Sequence, residues 1–262
     1  MKKFLILSLF ALLSIKVDAM TINNCQSEQC ITLFNQYKAA ASRGHPEAIS
    51  TLGQFYQQGF GTSPDLEKGL RYLKKASKAG SISASYKAGL LLLQETELRD
   101  IDKGIHFLTK AARKGYQNAD FLLGIAYLSD SFGIQNLSKA DTYLQKAYLN
   151  KHQDMPAVID LINAKQSLSL TQLPLLSAQI SLSPLVLSSD GHLAWPENHI
   201  ETITITAQPL EVFLTENLIA YRGKETSLGS RLPTTRCTKR PGCYLTNSVD
   251  SLLSDFPFVL GY

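Results

Sequence analysis

Between residues 34 and 165 the apolar positions recur three and four apart, the spacing of helices buried along one face. Ala48, Ile49, Leu52 and Tyr56 make one such face, and Leu66, Leu70, Leu73 and Ala76 make the next. Glycines break the pattern: Gly59-Phe60-Gly61-Thr62 ends the first stretch and Gly80 the second. Glycine enters the left-handed region without steric cost, which suits the ends of helices. Ser63 is a candidate cap for the second helix, and Pro64 suits its first turn. Asp65 and Glu67 complement the positive end of its dipole. Phe34 to Gly44 reads as one further helix, and Met155 to Lys165, behind the cap Asp154, as another.

The pattern is periodic. Gly44, Gly80 and Gly115 are spaced 36 and 35, and so are Ala48, Ala84 and Ala119. Gly53, Gly89 and Gly124 keep the same offsets, as do Tyr56, Leu92 and Tyr127. Tyr72, Phe107 and Tyr143, with Ala76, Ala111 and Ala147, repeat at 35 and 36. A unit of this length holds two helices that cannot bury their apolar faces alone, so neighbours must stack. Glycine inside a helix costs about 1 kcal/mol against alanine, so the Gly53 column implies close helix–helix approach.

These residues resemble a known repeat. Ala48-x3-Leu52-Gly53-x2-Tyr56-x2-Gly59-x-Gly61, then Asp65-x6-Tyr72-x2-Lys75-Ala76-x3-Gly80, is similar to the Sel-one-like repeat, a longer relative of the tetratricopeptide unit. The third unit matches through Ala119, Leu123, Gly124, Tyr127, Tyr143, Lys146 and Ala147. The second departs from it, with Glu95-Thr96-Glu97-Leu98-Arg99 where a glycine-rich turn belongs. The resemblance implies a mainly α protein, a right-handed α-solenoid whose usual job is to hold other proteins. Three full repeats fall at about 45–152, between two half repeats. Some cysteine-rich extracellular members are described as penicillin binders or β-lactamases, with a disulfide in nearly every repeat. No cysteine lies in these repeats, and no Ser-x-x-Lys tetrad occurs, so that activity is not carried over.

The two ends differ from the middle. Lys2 and Lys3 precede a 12-residue apolar run, Phe4 to Ile15, which closes on Val17-Asp18-Ala19. A membrane span needs about 20 residues. Residues 1–19 therefore read as a signal peptide cut after Ala19, the alternative being an uncleaved anchor. Export implies an oxidising compartment, periplasmic or secreted. Cys25 and Cys30 then pair locally, as do Cys237 and Cys243, although four cysteines admit three connectivities. Zinc is the alternative use, but neither spacing suits it and no histidine is near.

Residues 20–166 form the solenoid and 167–262 a small α+β domain, by composition and charge. Residues 31–166 carry 17 basic and 12 acidic side chains, against six and eight in 167–262, which supports a boundary near 166. In the latter, Ser- and Leu-rich residues 167–182 run from linker into a first strand. Leu185-Val186-Leu187, Asp190-Gly191 and Leu193 to Trp195 form a hairpin. Thr202 to Thr206 is a strand, Leu210 to Ile219 leans to helix, and Ser248 to Ser254 is a short helix. This region resembles no family known to us.

Composition excludes several classes. A formal charge of +4 in 262 residues is too weak for a dedicated nucleic-acid binder. Histidines 45, 106, 152, 192 and 199 include no i, i+4 pair, and no catalytic elbow, phosphate loop or dinucleotide fingerprint occurs. No catalytic residue, cofactor or metal is assigned. The acidic cluster Glu95, Glu97, Asp100 and Asp102 lacks the glycine and terminal Glu of a calcium loop, and reads as a solvated loop. The recurring aromatics read as repeat core. One stripe remains as candidate chemistry. Arg71, Lys74, Lys75 and Lys78 share a helix face, continued by Lys110, Arg113 and Lys114 one unit later. Arg236, Lys239 and Arg240 sit in the Cys237–Cys243 loop. Such faces suit an anionic partner, whether acidic protein, glycan or lipid headgroup. The expectation is an exported protein–protein interaction scaffold of the bacterial envelope. The alternatives are a cell-wall or β-lactam hydrolase by analogy, or an accessory subunit of a secretion or export complex.

Overall fold

The computed structural model describes residues 22–164, 168–189, 191–196 and 209–222. Among them the chain is mainly α. It runs through consecutive helix pairs and ends with one two-stranded hairpin and a last helix. The described residues form two compact units, 22–98 with 209–222, and 99–196. The first repeat lies within one unit and the third within the other, and the division falls inside residues 95–99, between the helices of the second.

The unit built on the first repeat holds α1 (Glu28–Ser42), α2 (Pro46–Gln58), α3 (Leu66–Lys78) and α4 (Ile82–Leu93). It also holds the last helix of the described residues, Leu210–Arg222. Ser27 caps α1 by accepting the Cys30 amide. Gly59, at φ +76°, closes α2 with its amide on the Phe55 carbonyl. Helix α3 begins two residues later than Ser63 and Pro64 suggest. Asp65 is its cap, extended at φ −153° and accepting the Lys68 amide at 2.8 Å. The Asp65 amide bonds back to the Tyr56 carbonyl, so Ser63 and Pro64 are used in the connection.

Helices α2 and α3 approach closely at Gly53. A Cβ there would stand 3.1 Å from both the Gly69 carbonyl oxygen and Leu73 Cγ. The core mixes small and aliphatic residues with aromatics: Ala48, Ile49, Leu52, Leu70, Leu73 and Ala76 are buried, with Ala84, Ala88, Leu91 and Leu92 from α4 and the rings of Phe34, Tyr37 and Phe55. Each buried leucine or isoleucine contributes about 1.5–3 kcal/mol against exposure. The Leu210–Arg222 helix confirms the lean to helix at 210–219, and it rests on α1. Its Leu214 and Leu218 are buried, and the Tyr37 hydroxyl donates to the Leu214 carbonyl at 3.1 Å. Tyr221 stacks on His45, with centroids 5.4 Å apart.

The other unit holds α5 (Ile101–Ala112), α6 (Gln117–Leu128), α7 (Leu137–Leu149) and α8 (Met155–Ala164). After a short 3-10 turn, Leu170–Gln172, comes α9 (Pro174–Leu182). Residues 174–182 are thus helix, not the strand their composition suggests. The reason is long-range: the buried Asp141 carboxylate on α7 accepts the amides of Leu175 and Leu176, at 2.9 and 2.8 Å, and so caps α9 from outside. Tyr148, also on α7, donates its hydroxyl to the Ser183 carbonyl at the far end of α9.

The expected hairpin forms, with β1 (Val186–Leu187) antiparallel to β2 (Leu193–Ala194) and Gly191 at φ +84° in the turn. Asp160 of α8 accepts the Leu193 amide, and the Trp195 indole donates to the His152 carbonyl. In chain order the Leu210–Arg222 helix is α10. The expected elements at 202–206 and 248–254 lie outside the described residues. No helix of the described residues is long and apolar enough to cross a membrane.

Candidate interaction surface

The basic stripe follows from the register of α3. With Leu70, Leu73 and Ala76 turned inward, Arg71, Lys75 and Lys78 point to solvent and Lys74 is half-buried. Lys75 and Lys78 occupy the last turn, where cations complement the negative end of the helix. On α5 Lys110 is half-buried, and Arg113 and Lys114 are exposed. Among the described residues Arg71, Lys74, Lys75, Lys78, Arg113 and Lys114 make no ion pair. The second basic cluster, expected at Arg236, Lys239 and Arg240, lies outside the described residues, as do Cys237 and Cys243.

The recurring tyrosines are placed differently from the aliphatic columns. Tyr56, Tyr72 and Tyr143 are half-buried, so they edge the core rather than fill it, whereas Tyr127 is buried. They form two stacked pairs. Tyr56 and Tyr72 lie 5.4 Å apart and 5° from parallel, and Tyr127 and Tyr143 lie 6.0 Å apart and 10° from parallel. Cations cover these rings: Lys68 over Tyr56 and Arg71 over Tyr72, then Lys139 over Tyr127 at 4.9 Å and Lys146 over Tyr143 at 5.4 Å. Burial first, then the neighbouring Tyr72, pushes the Tyr56 hydroxyl pKa up, so it stays a neutral donor.

Sequence reasoning passed over Lys68 and Lys139. The signal was present: Lys68, Lys103 and Lys139 recur at 35 and 36, each three residues past Asp65, Asp100 or Asn136. In all three helices that residue caps the helix by accepting the lysine amide. Asp100 also pairs with the Lys103 ammonium, which removes it from the acidic cluster as an open ligand.

Other candidate chemistry resolves into packing. His152 stacks on Phe121 with centroids 4.0 Å apart, and burial lowers its pKa against the opposing pull of Asp154. His192 lies 3.5 Å from Asp160. Among the described residues no three His, Cys, Asp or Glu side chains converge to hold a metal ion. Cys25 and Cys30 are placed as a disulfide pair.

The arrangement defines a class: a helical-repeat protein whose unit is a helix pair joined by a capped turn. Residues 46–81, 82–116 and 117–152 each match the Sel1 repeat family. The chain therefore carries three Sel1 repeats, over residues 46–152. Solved structures are similar to parts of it. A Sel1 repeat protein from Oxalobacter formigenes is 20% identical, with a TM-score of 0.47 over 57% of this chain and 62% of that one. The protective antigen c5321 from uropathogenic Escherichia coli, described as displaying an SLR fold, is 16% identical, with a TM-score of 0.47 over 58% of this chain and 33% of that one. The immunity protein Pa5087 of Pseudomonas aeruginosa is 18% identical, with a TM-score of 0.31 over 67% of this chain and 78% of that one. The chain thus spans less than two thirds of the first two. No curated protein matches it.

Proposed function

We propose that this protein is exported to the bacterial envelope and serves there as a protein–protein interaction scaffold, its residues 1–19 being a signal peptide. Its domains are read as a repeat region over 20–166 and a smaller one over 167–262. The observation that supports the role is the row of exposed cations on α3, Arg71, Lys75 and Lys78, which make no ion pair among the described residues and share a face because Leu70, Leu73 and Ala76 are buried on the other. Cations gathered on one face make a positive field that guides the approach of an acidic partner. The role needs no catalytic group or cofactor.

The test has two arms. The N-terminus of the protein recovered from an envelope fraction is sequenced, and export with cleavage predicts Met20 as the first residue. An intact Met1 on a cytoplasmic protein sinks the localisation. In parallel, crosslinked partners are captured by the native chain and by a variant carrying Arg71→Glu, Lys75→Glu and Lys78→Glu. A scaffold acting through this face loses its acidic partner in the variant and on raising salt. Capture indifferent to both removes α3 from the interface. Turnover of a chromogenic β-lactam or of peptidoglycan would favour the hydrolase instead.

A further inference from the structure

The start of the described chain does more than lead into α1. Residues 22–26 lie as a strap along the turn that joins the helices of the first repeat. Gly61 donates its amide to the Cys25 carbonyl at 2.6 Å, and the Cys25 amide reaches the Gly59 carbonyl at 3.4 Å, a one-residue parallel bridge. Gln26 adds two bonds from one side-chain nitrogen, to the carbonyls of Gly59 at 2.9 Å and Thr62 at 2.8 Å. Ile22 anchors the strap by burial. Under it, Phe60 is buried and stacks on Phe55 at 4.6 Å. Gly61 presses so closely on α1 that an added Cβ would fall on the Cys30 carbonyl and on Phe34 Cβ. Strap, turn and α1 therefore meet at one place, and Cys25 and Cys30 join strap to helix across it.

We infer that the Cys25–Cys30 disulfide is the lock of a redox-operated clasp, which holds the strap 22–26 on the Gly59–Thr62 turn and is opened by an external dithiol. The two sulfurs are not equivalent. Cys30 is 1% exposed and Cys25 half-buried, so attack falls on Cys25. A thiolate of the dithiol attacks Cys25 Sγ, the Cys25–Cys30 bond breaks, and its electron pair leaves on Cys30 Sγ as a thiolate. The second thiolate of the reagent attacks its own sulfur in the mixed disulfide and releases Cys25 as a thiolate. Two electrons pass to the protein, the reagent becomes a disulfide, and its two thiol protons end on the cysteines or in solvent. With the bond gone, the strap is held by hydrogen bonds at the protein's edge, among them the part-buried one from Gln26 to the Gly59 carbonyl, and by the buried Ile22, so the turn opens locally.

This goes beyond the scaffold reading and does not depend on it, because the test uses purified protein. The full chain carrying Cys237→Ser and Cys243→Ser is studied oxidised and after dithiothreitol, by amide hydrogen exchange. The clasp predicts that exchange of the Gly61 amide speeds by about tenfold or more on reduction. The Ala140 amide, held by Asn136 in the third repeat, stays within about twofold. An unchanged Gly61 overturns the clasp. Equal acceleration at both amides also overturns it, since the bond would then support the whole fold. A second variant, Gln26→Ala, is oxidised and then reduced: a clasp in which strap and bond act together loses its disulfide several-fold faster. An unaltered reduction rate overturns the coupling of strap and bond.

Discussion

The first and third repeats are the same structure written twice, 71 residues apart, and their few differences show which positions carry the fold. Gly53 corresponds to Gly124, Leu73 to Leu144, Asp65 to Asn136 and Lys68 to Lys139. Both leucines are fully buried, both glycines lie against those leucines, and both caps accept the amide three residues on. The second repeat keeps the alanines and the cap Asp100, but has Leu92 and Phe107 where the others stack tyrosines. The common element is therefore small residues and caps, which let helices approach and begin. The tyrosine pairs edge the core and are dispensable to the period.

The largest test removes the common element. Leu73→Ala and Leu144→Ala should each cost about 2–5 kcal/mol, since each opens a cavity in a packed interface. Chemical denaturation measures both. Near-equal losses support equivalence of the two helix pairs, and a small loss at either site shows that its pair collapses to fill the space.

The glycines should separate the repeats. At Gly124 a Cβ would stand 2.6 Å from Leu144 Cδ2 and 2.8 Å from its Cγ, whereas at Gly53 the nearest atoms are at 3.1 Å. Overpacking costs about 1–3 kcal/mol, against about 1 kcal/mol gained by replacing glycine within a helix. Gly124→Ala is expected to destabilise, by about 1–2 kcal/mol net, and Gly53→Ala to be close to neutral. Equal effects would mean that the backbones yield alike.

How far the sequence discloses all this depends on the range of the interaction. The alanine and glycine columns, the left-handed glycines at 44, 80 and 115 and the hairpin about Gly191 are local features, and all were legible. Helix α9 was not, because its cap is supplied by Asp141, 34 residues before the amide it receives. Nor was the seat of α10, where Tyr37 bonds the carbonyl of Leu214, 177 residues away. Ser63 and Asp65 are both good caps, and only the bond from the Asp65 amide to Tyr56 settles the choice. On the candidate surface, the stripe on α3 could be read from helical spacing, whereas the cations over the tyrosine rings needed the packing of two helices.

A third difference lies at the column of Ile49, which in the third repeat is Asp120. Asp120 is 4% exposed and one carboxylate oxygen finds no hydrogen bond, while burial raises its pKa. A carboxyl whose pKa is raised on folding weakens the fold where it is ionised, and that penalty fades as pH falls through the raised value. Asp120→Asn should stabilise the protein at neutral pH by about 1 kcal/mol, and the advantage should shrink on acidification. A variant less stable at neutral pH would show that the ionised carboxylate is satisfied there, with Lys146 the charge that attracts it.

The smallest effect distinguishes the two caps. The pKa of Asp65 is held below its ordinary 3.8 by the hydrogen bond from the Lys68 ammonium, then by the Lys68 amide. A carboxyl depressed on folding stabilises above its unfolded pKa, and that support is lost as pH falls through the lower, folded value. Asn136 makes the same cap without titrating. Hydrogen-exchange protection of the Lys68 amide should therefore fall relative to that of Lys139 as the solution is taken below about pH 4. A constant ratio would show that Asp65 still accepts that bond when protonated. The cap would then rest on the geometry that the Tyr56 carbonyl imposes on it and not on its charge.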